Sequence, residues 1–153
     1  MKIFIDLLYL LAIVIISPVA VHKMIRQKRY RRGWAQKFGK ITRKVPSKKC
    51  IWIHAVSVGE VNATRTLIQK LTEKFGNFEI IITATTDTGF DRANSLFAND
   101  YTVSYFPFDF SAVIKRAFEN VRPVLCLLME LEVWPNFIDT AYKNNVPVAI
   151  VNG

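Results

Sequence analysis

Three groups of side chains in this 153-residue chain have the types and spacing to do chemistry. The first is Ser57-Val-Gly-Glu60, a hydroxyl and a carboxylate three residues apart in a turn of small residues. A carboxylate poised there can act as a general base, taking a proton from an attacking hydroxyl. The same spacing is that of a helix capping box, in which Ser57 accepts from the Glu60 amide and Glu60 reaches back to the Ser57 amide. The second group is Thr83-Ala-Thr-Thr-Asp-Thr-Gly89. Its hydroxyls and helix-start amides, next to a flexible Gly89, suit phosphate or sugar hydroxyls. Thr88-x-x-Asp91 also has capping-box spacing, so a purely structural role competes there. The third is Glu130-Leu-Glu-Val-Trp-Pro-Asn136. Glu130 and Glu132 share a face if the chain is extended, and could work as acid and base, bind a cation, or satisfy Arg and backbone groups. Asp109 reads as a cap or a supporting acceptor, His54 as a hydrogen-bonded core histidine, and Trp134-Pro135 as support for a loop's shape.

Strands and helices must carry these groups to one place. Apolar runs at 51–55, 79–84, 102–106, 124–129 and 147–151 have strand length. The spacing of Val61, Thr64, Ile68, Leu71 and Phe75 predicts a helix stopped by Gly76-Asn77. Further helices are expected from about Gly89 to Asn99, from Ser111 to Asn120 with Pro123 marking the end, and from Pro135 to about Asn144. Strands alternating with helical crossovers imply a parallel sheet covered on both faces, an α/β Rossmann-like unit of about five strands. In such sheets ligands bind beyond the carboxyl ends of the strands, where all three groups fall.

The front of the chain differs from the rest. Residues 1–50 hold 13 Lys/Arg and one acid, while residues 51–153 hold 8 Lys/Arg and 11 acids, so the net +9 is +12 in front and −3 behind. Ile3 to Val21 is almost continuously apolar, and as a helix would rise about 28 Å, near a bilayer's hydrocarbon thickness. Asp6 and Pro18 make it a poor central span. Only Lys2 precedes it, whereas His22 to Lys49 carries twelve Lys/Arg, a pattern that favours an uncleaved anchor over a signal peptide. Residues 1–22 therefore read as a membrane-anchor helix, 23–49 as a basic juxtamembrane segment with a linker at Pro46-Ser-Lys-Lys, and 50–153 as the α/β domain. The basic segment suits an anionic membrane surface or a phosphorylated lipid head group. Tyr30, Trp34 and Phe38 recur every four residues beside it, but no RRM or KH signature accompanies them, so nucleic acid is not the expected partner.

Absent motifs narrow the choice. There is no GxGxxG and no GxxxxGK[ST], which argues against a dinucleotide fold or a P-loop enzyme. Cys50 and Cys126 lie in apolar runs without CxxC or histidine at metal spacing, and read as reduced, buried thiols, with a disulfide left open.

Taken together, Arg32-Gly-Trp-Ala-Gln-Lys-Phe-Gly39, His54-Ala-Val-Ser-Val-Gly-Glu60, Thr83-Ala-Thr-Thr-Asp-Thr-Gly89, Met129-Glu-Leu-Glu-Val-Trp-Pro-Asn136 and the closing Asn152-Gly153, behind an apolar anchor, resemble the N-terminal part of the Kdo transferases. These glycosyltransferases add 3-deoxy-D-manno-octulosonic acid (Kdo) to a lipid A precursor in lipopolysaccharide synthesis. The resemblance implies the acceptor-side half of a GT-B enzyme at the cytoplasmic face of the cell inner membrane. Its facing half would hold the donor, CMP-Kdo. Glu60 falls at the proposed general-base position, for a single inverting step that uses neither metal nor other cofactor. Ser57, Val58, Gly59 and Glu130 fall on the acceptor side. Thr85 and Thr86 in the threonine loop, and Arg31 and Arg32 in the basic segment, are candidate acceptor ligands, since lipid A precursors carry phosphates on an acylated disaccharide. Leu131 departs from the pattern, where many relatives have a polar residue. The chain also stops straight after the fifth strand, so these 153 residues are expected to bind membrane and acceptor without transferring sugar. The competing expectation is a non-catalytic, membrane-tethered module that recognises a phosphorylated lipid or a partner domain.

Overall fold

A computed structural model describes residues 5–11, 14, 32–131 and 134–151. A helical stretch α1 (residues 5–11) and a short helix α2 (Trp34–Lys37) precede β1 (Lys49–His54), α3 (Val58–Lys74), β2 (Phe78–Ala84), α4 (Asp87–Phe97), β3 (Thr102–Tyr105), α5 (Ser111–Val121), β4 (Pro123–Leu128), α6 (Pro135–Lys143) and β5 (Val148–Ile150). The five strands form one sheet in the order β3-β2-β1-β4-β5, and every pairing is parallel. The expected α/β architecture is therefore the observed one.

The period-two alternation of β1 sorts the core onto two faces. Cys50 and Trp52 point to a cluster with Ile114, Phe118 and Val121 of α5 and Phe137 and Ala141 of α6. Ile51 and Ile53 point the other way, toward Val61 and Ile68 of α3 and Ala93 and Phe97 of α4. Strands buried on both faces are apolar at nearly every position, which is why the runs in the sequence are continuous. Trp52 is fully buried, and its indole N–H donates to Thr83 Oγ1 at 2.9 Å, so this polar atom is not left unsatisfied in the core. Both cysteines are free and buried; burial pushes the Cys50 thiol up to about 12 and that of Cys126 also upward. Neither forms the reactive thiolate at neutral pH.

Two boundaries differ from expectation. Helix α4 begins at Asp87, two residues earlier than the spacing suggests, because Thr86 rather than Thr88 is the cap: its Oγ1 accepts the Gly89 amide at 3.0 Å. Gly89 is not a flexible point. A Cβ there would lie 2.8 Å from the Val56 carbonyl oxygen, so the absent side chain lets α4 abut the turn after β1. Strand β4 ends at Leu128, so Glu130 lies on an exposed bend beyond the sheet and the alternation proposed for Glu130 and Glu132 does not apply. Glu132 itself lies outside the described residues.

The segments in front of β1 pack on the domain wherever they are described. Asp6 accepts the Ser111 amide and the Asn136 Nδ2 group, each at 3.1 Å, and also the Ser111 hydroxyl. The Tyr9 hydroxyl donates to Asp109 at 3.1 Å. Asp109 in turn accepts the Asn136 and Phe137 amides at 3.0 and 2.8 Å, capping α6, as its position after Pro107 suggested. Farther along, the Arg43 guanidinium meets Glu79 at 2.8 Å with both side chains almost fully buried. Among the described residues no helix is long and apolar enough to cross a membrane. Most of the anchor expected over 1–22, and residues 23–31 of the basic segment, lie outside the described residues.

Candidate acceptor site at the carboxyl edge of the sheet

In this strand order the chain winds from β1 toward β2 and β3 on one side and resumes at β4 and β5 on the other. The switch point therefore lies between β1 and β4, the place where ligands bind in open α/β sheets because the two following loops run to opposite faces. The Met129 amide donates to the His54 carbonyl at 3.0 Å and holds the two loops side by side where they leave the sheet. The turn bearing Glu60 leaves from β1, and the loop bearing Glu130 leaves from β4.

Helix α3 starts as the Ser57-Val-Gly-Glu60 spacing requires. Ser57 is extended, its Oγ accepts the Glu60 amide at 3.5 Å, and Glu60 Oε1 accepts the Ser57 amide at 3.1 Å. A further contact is invisible in the spacing: Glu60 Oε2 accepts the Val56 amide at 2.8 Å. Both carboxylate oxygens are thus fixed by backbone donors, and the group is buried. A carboxylate offers about four lone-pair sites, so the two amides orient it without exhausting its capacity to accept a proton. Val58 and Gly59 on the same turn are exposed. Among the described residues a Cβ on Gly59 would meet nothing closer than Ser57 Oγ at 3.9 Å, so their packing gives no reason for a glycine there.

The threonine loop sits beside this turn. Thr86 Oγ1 donates to the Val56 carbonyl at 2.9 Å while capping α4, so its hydroxyl ties the loop after β2 to the loop after β1. Thr85 is exposed, with Oγ1 3.4 Å from His54 Nε2. His54 Nδ1 lies 3.2 Å from the Thr83 carbonyl, which can only accept; Nδ1 therefore carries the proton and Nε2 is left to accept from Thr85. The imidazole stacks on Phe106 at 3.8 Å, and burial holds its pKa down at about 3, opposed only by the Thr83 carbonyl bond. His54 is a neutral core residue, as read from its place within a strand. Its contribution to the site is to orient Thr85.

The described part of the basic segment reaches the same edge. Helix α2 lies against the end of β3, where the Tyr105 amide donates to Gln36 Oε1 at 3.1 Å. Arg32 is bridged to Asp91 at 2.9 Å and lies over the Phe90 ring. That pairing takes Asp91 out of the box proposed with Thr88. Arg31 lies outside the described residues. Trp34 and Phe38 stack at 5.6 Å, and each meets Phe108 edge-on, leaving an exposed aromatic cluster. Trp134 packs against Phe106 and supports the loop after β4, as its position next to Pro135 suggested.

The structure therefore gathers Ser57, Val58, Gly59, Glu60, Thr85 and Thr86 into one rim, with Glu130 on the exposed bend after β4 and Arg32 farther along at β3. Tyr9 and Lys37 have no local partner to mark them in the sequence, and Asp6, there only an interruption of the apolar run, has its partners more than a hundred residues away. The paired glycines around α2 were the available signal. Gly33 and Gly39 both have positive φ, +70° and +84°. A groove of about 810 Å³ between α5 and α6, lined by Lys115, Arg122, Thr140 and Lys143 among others, includes none of the rim residues.

A parallel β3-β2-β1-β4-β5 sheet wound on both faces, with its polar loops collected at the switch point, defines a Rossmann-like unit. The family profile of the 3-deoxy-D-manno-octulosonic-acid transferases matches residues 32–153, and the chain belongs to that family. It is 32% identical over 154 residues to the 3-deoxy-D-manno-octulosonic acid transferase of Chlamydia pneumoniae, covering 99% of this chain and 35% of that protein. It is 35% identical over 129 residues to the enzyme of the same name from Haemophilus influenzae, covering 84% of this chain and 30% of the relative. A bifunctional glycosyltransferase/methyltransferase of Fusobacterium nucleatum is 34% identical over 105 residues, covering 67% of this chain and 16% of that protein. The chain spans about a third of the length of the first of these relatives.

Proposed function

We propose that this chain is the acceptor-binding, base-bearing half of a glycosyltransferase that moves Kdo from CMP-Kdo to a lipid A precursor in lipopolysaccharide synthesis. The observation that carries the reading is Glu60. Its buried carboxylate is aimed by two backbone amides at the switch point, beside a glycine that packing among the described residues does not demand. In the proposed step the Glu60 carboxylate takes the proton of an acceptor hydroxyl as that oxygen bonds to the anomeric carbon of Kdo. The bond from that carbon to the CMP phosphate oxygen breaks, CMP leaves with the electron pair, and the anomeric configuration inverts.

Gly59 leaves room for a sugar ring to lie against the first turn of α3, Ser57 and Thr85 offer hydroxyls to it, and Thr86, its own hydroxyl bound to the Val56 carbonyl and the Gly89 amide, holds the loop beside it. Glu130 faces the ring from the bend after β4. The donor is held by a second Rossmann-like domain, completing a GT-B enzyme whose donor half lies outside these 153 residues. Residues 1–22 anchor the enzyme at the cytoplasmic face of the inner membrane. In support of that placement, Leu7, Leu8, Leu10, Leu11 and Val14 are exposed, and so is the Trp34, Phe38 and Phe108 cluster. Apolar groups grouped in this way favour contact with a lipid surface.

The test is binding without turnover. In detergent micelles the 153-residue chain should bind a lipid A precursor and release no CMP from CMP-Kdo. Failure to bind any lipid A precursor would remove the acceptor reading and leave a tethering module.

A further inference from the structure

Lys37 carries an ammonium whose N–H donors the described residues leave unfilled. Its backbone is fixed on both sides, the amide donating to the Gly33 carbonyl at 2.8 Å and the carbonyl accepting the Phe108 amide at 2.9 Å. Its ammonium stands 4.3 Å over the centre of the Tyr105 ring. Phe90 is stacked on that ring at 3.9 Å and 10°, filling one face, so Lys37 occupies the other. Of the acids nearby, Asp91 is ion-paired with Arg32 at 2.9 Å, and Asp87 accepts the Tyr105 hydroxyl at 2.9 Å and acts on Lys37 only through space. Among the described residues Lys37 Nζ makes no hydrogen bond and no ion pair within 4 Å. Burial holds its pKa below the usual lysine value, with Asp87 opposing the shift and Arg32 adding to it. A half-buried ammonium whose N–H donors find no acceptor within bonding distance is costly unless a ligand supplies one.

The path from Lys37 to the proposed base is a run of direct contacts. Lys37 covers Tyr105, Tyr105 bonds Asp87 at the start of α4, the neighbouring Thr86 bonds the Val56 carbonyl, and the Val56 amide bonds Glu60. The ammonium and the carboxylate are thus linked by contacts along the carboxyl edge of the sheet. Arg32, one of the two arginines singled out in the sequence, is already paired with Asp91.

We infer that Lys37 binds a phosphate of the acceptor, fixing the distance between that phosphate and the hydroxyl presented to Glu60. This rests on the acceptor reading above. The ring of Tyr105 positions the ammonium through a cation–π contact. The phosphate completes its coordination with charge-assisted hydrogen bonds.

The test compares two water-soluble, short-acyl lipid A disaccharides, one phosphorylated and one with its phosphates removed, by calorimetric titration of the 153-residue chain. Lys37→Met should weaken binding of the phosphorylated form roughly ten- to a hundredfold and leave the dephosphorylated form unchanged. Lys37→Arg should recover most of the loss. The use of both ligands on one variant separates a lost contact from a damaged fold, which would weaken both. Equal effects on the two ligands, or none, overturn the assignment while leaving the acceptor reading intact. Wild-type chain that binds neither disaccharide overturns the acceptor reading itself and this inference with it. A Lys37-dependent gain seen only with phosphatidylglycerol vesicles would move the site from acceptor to membrane and overturn it too.

Discussion

Glu60 and Ser57 hold each other across the first turn of α3, the Ser57 amide on Glu60 Oε1 at 3.1 Å and the Glu60 amide on Ser57 Oγ at 3.5 Å. The second Glu60 oxygen takes the Val56 amide at 2.8 Å. Glutamine has one carbonyl oxygen and one NH2 group, so it can keep one of these amide partners and must set a donor against the other. Glu60→Gln and Ser57→Ala should each destabilise the chain by about 0.5–2 kcal/mol in urea unfolding. Unchanged midpoints in both variants would show that the cap is energetically idle.

Gly59 supports the opposite kind of prediction. Alanine is the better helix former by about 1 kcal/mol, less in a first turn, and among the described residues a Cβ there meets no atom closer than 3.9 Å. Gly59→Ala should leave unfolding stability unchanged or slightly raised while weakening acceptor binding about tenfold or more. Loss of stability, or acceptor binding equal to wild type, would mean that the glycine is not there for the ligand.

At Gly39 the backbone is the constraint. Its φ is +84°, and a Cβ would lie 2.5 Å from the Val113 carbonyl oxygen in α5. Gly39→Ala should cost roughly 1–3 kcal/mol and loosen α2 from the sheet edge. Hydrogen exchange would register this as lost protection at the Phe108 amide, which donates to Lys37 at 2.9 Å.

His54 makes stability fall with acid. Its folded pKa is depressed to about 3 from 6.5 by burial, so below pH 6.5 the unfolded chain binds a proton that the folded chain refuses. The stability present above pH 6.5 is therefore lost as pH falls toward 3, at up to about 1.4 kcal/mol per pH unit. Unfolding free energies measured between pH 7 and 4 should decline less steeply for His54→Gln than for wild type. Parallel curves would contradict the buried, neutral imidazole.

The sheet was legible because its central strands β1 and β2 are buried on both faces, leaving apolar runs such as Ile80 to Ile82 unbroken by alternation. The cap at Ser57 was legible because its partner is three residues away. Local spacing misled where distant atoms decide. Thr86 and Thr88 are both plausible caps, and the Val56 carbonyl, thirty residues earlier, selects Thr86. Glu130 and Glu132 look like a strand pair until β4 stops at Leu128. Asp6 looked like a flaw in an apolar helix, but it accepts bonds from Ser111 and Asn136, more than a hundred residues on. Lys37 looked like one basic residue among many, and only the fold places it over Tyr105.

The most direct test of Glu60 as the acceptor base is Kdo transfer by a complete enzyme in which this chain is joined to a donor-binding half. Glu60→Gln should lower turnover by at least about a hundredfold, the usual scale for losing a general base, while acceptor affinity changes only a few-fold. Turnover within a few-fold of wild type would contradict the account and leave Glu60 as a helix cap alone.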